Sequence, residues 1–149
     1  MGDKVVATNR KAFHEYHIIE KFEAGVELLG SEVKSLREGK ANLKESYVTF
    51  RNSDAFVVGM HVSAYSHTGF TGHEPLRARR LLMHSRQLLK LKSQLAERGL
   101  TLIPLRLYFK NSWAKLEIGL AKGKKHYDKK ESIKQRDIKR DTEREMEKY

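Results

Sequence analysis

Short runs of β-branched and aromatic residues between turn signals, one late stretch of helical period and an apolar-poor C-terminal segment predict an all-β dominated fold. The pattern fits an OB-like β-barrel with short helices over residues 1–120. A basic tail over residues 121–149 follows, disordered when free. The order of strands, short helix, strands, helical insert and strands argues against a parallel α/β sheet.

The elements follow in order. Residues 12–22, AFHEYHIIEKF, carry Phe13, Tyr16, Ile18, Ile19 and Phe22 in a strand-like mixture. Ala24-Gly25 reads as a turn, and residues 26–29 as a second strand closing at Gly30. Ser31 is placed to cap a short helix, EVKSLREG, with Glu32 in its first turn and Gly39 beyond its end. Residues 46–51 alternate, with Tyr47, Thr49 and Arg51 on one side and Val48 and Phe50 on the other. Asn52-Ser53-Asp54 is a turn, and residues 55–65 continue as strand.

Residues 66–75, SHTGFTGHEP, form a loop without a repeating pattern. From 76 to 98 the period becomes helical, with Leu88, Leu91 and Leu95 on one face and Gly99 as the stop. Residues 101–109 and 113–120 are the last two strands, joined by a turn at Lys110-Asn111-Ser112. In the tail the large apolar side chains are Tyr127, Ile133, Ile138, Met146 and Tyr149. That is too little to offset an ordering entropy of roughly 1–2 kcal/mol per residue.

Both parts are basic. Residues 1–120 hold 19 Lys/Arg against 12 Asp/Glu and the tail 11 against 7, giving +11 in all. A polyanion is the expected partner. The absence of cysteine excludes disulfides, thiolate metal sites and cysteine nucleophiles. No secretory leader and no run of 18 apolar residues is present, and Val6 breaks the myristoylation pattern behind Gly2, so a soluble cytoplasmic protein with no membrane association is expected.

No nucleophile elbow, P-loop or dinucleotide fingerprint appears, and no catalytic residue, metal or cofactor is assigned. His14 and His17, three apart on a strand, would face opposite sides; His67 and His73 lack companions at ligand spacing. Glu23, beside the Ala24-Gly25 turn, is either a solvated carboxylate or an acceptor for base amino and imino groups. Lys34 and Arg37 share a helix face and are candidates for phosphates, with a solvated surface as the alternative. Arg77, Arg79, Arg80 and Arg86 form a basic run around Leu81, Leu82 and Met83. Tyr108 and Trp113 read as packing residues of the last hairpin. Ile138, Thr142, Met146 and Tyr149 fall at helical spacing, a narrow stripe suited to docking if the tail becomes helical.

Several blocks occur together: Asn9-Arg10-Lys11-Ala12 with His14-Glu15-Tyr16, Phe22-Glu23-Ala24-Gly25, Glu32-Val33-Lys34-Ser35-Leu36-Arg37 and Gly39-Lys40-Ala41-Asn42. Arg80-Leu81-Leu82, Tyr108-Phe109-Lys110-Asn111 with Trp113, and Ala121-Lys122-Gly123-Lys124-Lys125 leading to Tyr127-Asp128-Lys129 continue the order. From Asn9 to about Lys130 the chain resembles the SsrA-binding protein (small protein B) family, whose members bind transfer-messenger RNA. The resemblance implies an OB-type barrel bound to the tRNA-like part of that RNA, as a monomer in a one-to-one complex, entering stalled ribosomes for trans-translation.

Family RNA contacts fall on Asn9, Glu23, Leu82 and Lys115. Charge adds Arg10, Lys11, Lys34 and Arg37 as further RNA-binding candidates. The family's tail, as a helix, occupies the empty mRNA path of the small subunit, which places Gly123, Tyr127, Asp128 and Lys129 near the decoding centre. Lys124, Lys125, Lys130 and Arg136 join them as ribosome-binding candidates. The chain departs from the family at Tyr127, where some members have histidine, and at Lys130, where arginine is frequent and lysine loses the planar fork. Glu145 puts charge where a more apolar tail helix is expected. A generic single-strand-binding OB protein, an interaction module for an acidic protein and a metal-dependent enzyme are the competing readings.

Overall fold

The computed structural model describes residues 4–64, 73–96 and 99–124, in which nine strands and three short helices follow one another. They are β1 (Lys4–Thr8), α1 (Arg10–Glu15), β2 (Tyr16–Val26), α2 (Gly30–Arg37), β3 (Ala41–Asn42) and β4 (Tyr47–Arg51). Then come β5 (Asp54–Val58), β6 (His61–Val62), β7 (Arg79–Leu82), α3 (Ser85–Leu95), β8 (Leu100–Lys110) and β9 (Trp113–Gly123). Strand dominance is as expected. Pairing runs β1-β8-β4-β5-β7-β2-β9, and β9 also pairs with β8, so six antiparallel strands close on themselves with β1 added outside. Closure removes the sheet edges on which foreign strands add. β3 and β6 make a separate ribbon.

Alternation fills the barrel. Leu116, Ile118 and Leu120 of β9 meet Leu102, Leu107 and Phe109 of β8 and Phe22, Ala24 and Val26 of β2 in one core. Leu91 of α3 is fully buried there, with Leu88 and Leu95 packed beside it, as the expected stripe requires. The hairpins also fall where expected: Asn52-Ser53 and Asn111-Ser112 are two-residue loops, with φ of 58° and 60° at the asparagines.

Five expectations are corrected. Residues 10–15 are helix, because Asn9 caps it, its Oδ1 accepting from the Ala12 N–H at 3.2 Å. Ala24-Gly25 is no turn: β2 runs straight through it. Gly25 lies opposite Leu82 of β7, and a Cβ there would stand 3.3 Å from the Leu82 Cβ, so the glycine admits close approach of the two strands. Strand character after β5 is broken at Gly59, whose φ is +83° and whose missing Cβ would lie 2.6 Å from the Glu45 carbonyl oxygen. Helix begins only at Ser85. Residues 79–82 are strand, with Arg79 and Leu81 inward and Arg80 and Leu82 outward. An inward arginine conceals that period of two. Finally, β9 extends to Gly123, pairing with Tyr16, so the barrel takes in residues 121–123.

Arg79 is fully buried, and so is the carboxylate it meets. Glu32 Oε2 accepts from Arg79 Nε at 2.7 Å and from Arg77 Nε at 3.1 Å, while Oε1 accepts from Arg77 Nη2 at 2.7 Å and from the Leu29 N–H at 2.8 Å. Arg79 also donates to the carbonyls of Met60 at 2.8 Å and Pro75 at 3.2 Å. Burial pushes the Glu32 pKa up, but these hydrogen bonds and the Arg79 charge outweigh it and leave the pKa below its ordinary value. Burial pulls Arg79 down against Glu32, yet a guanidinium stays charged.

Because folding lowers the Glu32 pKa, its contribution is fully present above the ordinary glutamate value of 4.5 and fades as pH falls through the folded value. Glu32→Gln strands Arg79 beside a neutral amide and should cost about 3–5 kcal/mol at pH 7. Urea unfolding of both proteins at pH 7 and pH 4 checks this: the parent should lose more stability on acidification than the variant.

Candidate nucleic-acid interface

Where Phe22, Ala24 and Val26 point into the barrel, Lys21, Glu23 and Gly25 take the other face of β2. Neighbouring strands add Lys115 and Glu117 of β9 and Arg106, Tyr108 and Lys110 of β8. Register sets Gly25 and Tyr108 opposite Lys115, and Glu23 and Arg106 opposite Glu117. Two carboxylates directly across a strand pair repel. Each has its own partner: Arg106 Nε lies 3.4 Å from Glu117 Oε1, while the Tyr108 hydroxyl donates to Glu23 Oε2, with Lys110 Nζ 3.7 Å from that oxygen. The Tyr108 hydrogen bond, with Lys110 and Lys115 near, holds the Glu23 carboxyl below its ordinary pKa against a smaller effect of burial. The Arg106 guanidinium lies 4.6 Å above the Tyr108 ring, a cation–π cover.

Beside this face runs a groove of about 390 Å³, lined by Leu28, Val33, Leu82, Phe109, Trp113 and Lys115 among others. Its walls are apolar and its rim is cationic. Trp113, first residue after the β8–β9 turn, is 74% exposed, and Leu82 is 45% exposed. Arg37 brings its guanidinium 5.0 Å from the Phe109 ring, so α2 sets a cation at the groove's edge, with Lys34 exposed on the same helix. Glu23, Leu82 and Lys115 are thus brought together from three strands, with Arg37 close by.

The remaining candidates lie elsewhere. Asn9 is buried, its Nδ2 donating to the Pro104 carbonyl at 2.9 Å while Oδ1 caps α1. Arg10 and Lys11 are exposed on α1, and Lys11 Nζ pairs with Glu45 at 2.9 Å. Gly123 pairs with Tyr16 at the end of β9, and the Lys124 N–H donates to the Glu15 carbonyl at 3.0 Å. Lys125, Tyr127, Asp128, Lys129, Lys130 and Arg136 lie outside the described residues, as does His67. His14 falls on α1 and His17 on β2, and among the described residues no three His, Cys, Asp or Glu side chains are grouped to hold a metal. His73 bonds the Ser31 hydroxyl through Nδ1 at 2.9 Å and the Val62 carbonyl through Nε2 at 2.8 Å.

Sequence reasoning misplaced Trp113, expected to pack and found exposed. It also passed over the polar end of Tyr108, which does pack, being 3% exposed. The signal for the latter lay in alternation: Arg106, Tyr108 and Lys110 share the face that Glu23 occupies on β2. No helix among the described residues is long and apolar enough to cross a membrane.

Residues 6–148 match the family model described as "SmpB protein". A relative named SsrA-binding protein from Sulfurihydrogenibium sp. is 52% identical over 144 residues, 97% of this chain and 95% of its own length. Its namesake from Trichodesmium erythraeum is 51% identical over 149 residues, covering 99% and 96%. A solved chain, from work described as "tmRNA-SmpB: a journey to the center of the bacterial ribosome", is 39% identical with a TM-score of 0.70, covering 85% of this chain and 92% of that one. With the match running through both barrel and tail, the chain belongs to the SmpB family of SsrA-binding proteins.

Proposed function

We propose that this chain binds the tRNA-like part of transfer-messenger RNA as a one-to-one complex and carries it to stalled ribosomes in the cytoplasm, where trans-translation releases them. The observation that carries the reading is the likeness, across barrel and sequence, to a solved chain described as tmRNA-SmpB in the bacterial ribosome. The face around Glu23, Leu82 and Lys115 suits such a partner. Lys110, Lys115, Arg37 and Lys34 supply charge for phosphates, and the groove supplies an apolar bed for an unstacked base. These groups are suited to binding RNA.

Trp113 is the exposed aromatic among the groove-lining residues, and base stacking on it fits a partner with splayed loop nucleotides. A generic single-strand binder would instead need several aromatics in a row along the strand path.

The position of the tail's root supports a division of labour. β9 carries Trp113 at one end and Gly123 at the other, ten residues apart. At about 3.3 Å per residue that separates the groove from the tail's root by roughly 30 Å. The tail's root at Lys124 therefore lies at the α1 end, away from the face around Glu23 and Lys115, so that on this reading the tail enters the mRNA path while that face holds RNA. There Lys124, Lys125, Lys129 and Arg136 would meet phosphates, Gly123, Tyr127, Asp128 and Lys129 would lie near the decoding centre, and Lys130 would be a further ribosome contact. Ordering the tail only in an empty channel couples docking to a stalled ribosome.

Two expectations follow for variants. Trp113→Ala should weaken transfer-messenger RNA binding roughly five- to a hundredfold, the range for one stacked base, without lowering the unfolding midpoint. Lys115→Ala should lower affinity and reduce the salt slope by about one. A gel-shift series over salt, with calorimetry of each variant, reads both.

Truncation after Lys124 should keep RNA affinity within about twofold while abolishing tagging of stalled products in a reconstituted translation reaction. Stopping after Leu120 instead removes buried Ala121, which pairs with both β2 and β8, and should destabilise the barrel. Equal loss of RNA binding and tagging in the longer truncate would contradict the division of labour.

A further inference from the structure

We propose that Tyr108 is a positioning residue that makes Glu23 a one-sided hydrogen-bond acceptor, so that this face reads an unpaired base through an amino or imino N–H. The inference rests on the RNA-binding reading above and goes beyond it in naming what is recognised and which residue prepares it.

A carboxylate within an RNA-facing surface is at first sight misplaced, since it repels phosphates. It becomes useful if it selects donors, and the donors that RNA offers beyond its hydroxyls are on the edges of its bases. Glu23 is arranged for that choice. Its Oε2 is taken by the Tyr108 hydroxyl, with Lys110 Nζ at 3.7 Å from the same atom. Its Oε1 has no hydrogen-bond partner among the described residues, and the side chain is exposed. One oxygen is therefore anchored and the other is presented.

Tyr108 itself is not available to RNA. Its ring is covered by the Arg106 guanidinium at 4.6 Å and its residue is 3% exposed. A hydroxyl has one proton to donate, and a carboxylate can only accept, so that proton goes to Glu23. Burial first, then the hydrogen bond and charge of Glu23, push the Tyr108 pKa up, which keeps the proton in place.

What Tyr108 supplies is order. A glutamate has three rotatable side-chain bonds, and fixing them before binding removes an entropy cost from association. The flanking cations complete the arrangement. Lys110 and Lys115 both lie near the carboxylate, the first paired in register with Trp113 and the second opposite Gly25. Phosphates find these cations, a base meets Oε1, and a phosphate at the centre is repelled. Paired bases hide their edges, so the ligand is a loop or bulge nucleotide and not a helix.

A double-mutant cycle on the full-length protein with transfer-messenger RNA tests this. Tyr108→Phe should weaken binding roughly three- to tenfold, the range for the net contribution of one hydrogen bond. Glu23→Ala should weaken it at least as much, and the double variant should be no weaker than Glu23→Ala alone. Additive losses, or no loss in Tyr108→Phe, would overturn the proposal. Calorimetry of Tyr108→Phe separates positioning from folding: an affinity loss that persists in the Glu23→Ala background and tracks the unfolding midpoint would also overturn it.

Base reading has its own readout. Partial replacement of guanosine by inosine, or of cytidine by its 4-deamino analogue, deletes one amino donor at a time. The parent protein should show interference at one or two positions that Glu23→Ala does not share. Identical patterns would sink base reading even if transfer-messenger RNA still bound selectively, in which case the functional reading stands without it. Failure of the parent to prefer transfer-messenger RNA over ordinary tRNA would overturn both.

Discussion

A carboxylate with four hydrogen bonds and no access to solvent, Glu32, holds together parts of the chain that the barrel alone leaves separate. Its partners are the first turn of α2, the segment leading into β7, and β7 itself. Through Arg79 the network reaches the carbonyls of Met60 and Pro75, and so the chain on both sides of residues 65–72. An isolated charge in such a place would be strongly unfavourable, and it is tolerated because two guanidiniums and one backbone N–H satisfy it. The consequence for function is positional. β7 carries Leu82 and α2 carries Lys34 and Arg37, so one buried ion pair sets one wall of the groove against another.

The charge on this protein is divided by purpose. Glu32 with Arg77 and Arg79 belongs to the fold. On the outer face of β2, β9 and β8 a second group of charges alternates in sign, with Arg106 beside Glu117 and Lys110 beside Glu23. These pairs are partly exposed and contribute little to stability. On the proposed reading, their effect is on what the face accepts: cations for phosphates, one oriented carboxylate for a base, and an apolar bed with Trp113 at its side. Net charge would bring a polyanion near, and the arrangement would decide which one stays.

Much of the barrel was legible because its signals are local. Residues 101–109 and 113–120 are strand-like runs parted by a turn, Asn52 and Asn111 mark two-residue turns, and Leu88, Leu91 and Leu95 keep helical spacing. What escaped depends on partners distant in sequence. Arg79 reads as surface until Glu32, 47 residues away, is placed against it, and with it goes the inward–outward alternation of β7. Gly25 reads as a turn until Leu82 is seen to need its space. Asn9 signals a cap only once the residues after it are taken as helix, and reading them in one run with Tyr16, Ile18, Ile19 and Phe22 argued for strand. The site was legible in part by the same rule. Glu23, Leu82 and Lys115 came through family resemblance, whereas the exposed Trp113 and the Tyr108 hydroxyl on Glu23 required the register of three strands.

On the proposed reading a shaped surface, and not charge alone, selects one RNA. A binding titration over a salt series, with transfer-messenger RNA, an ordinary tRNA and an unstructured RNA competing for the same protein, tests it most directly. Selectivity for transfer-messenger RNA that persists as salt rises, while the other two are released, is the predicted result. Three affinities that start alike and fall together with the same slope would contradict it, because counterion release would then account for all the binding.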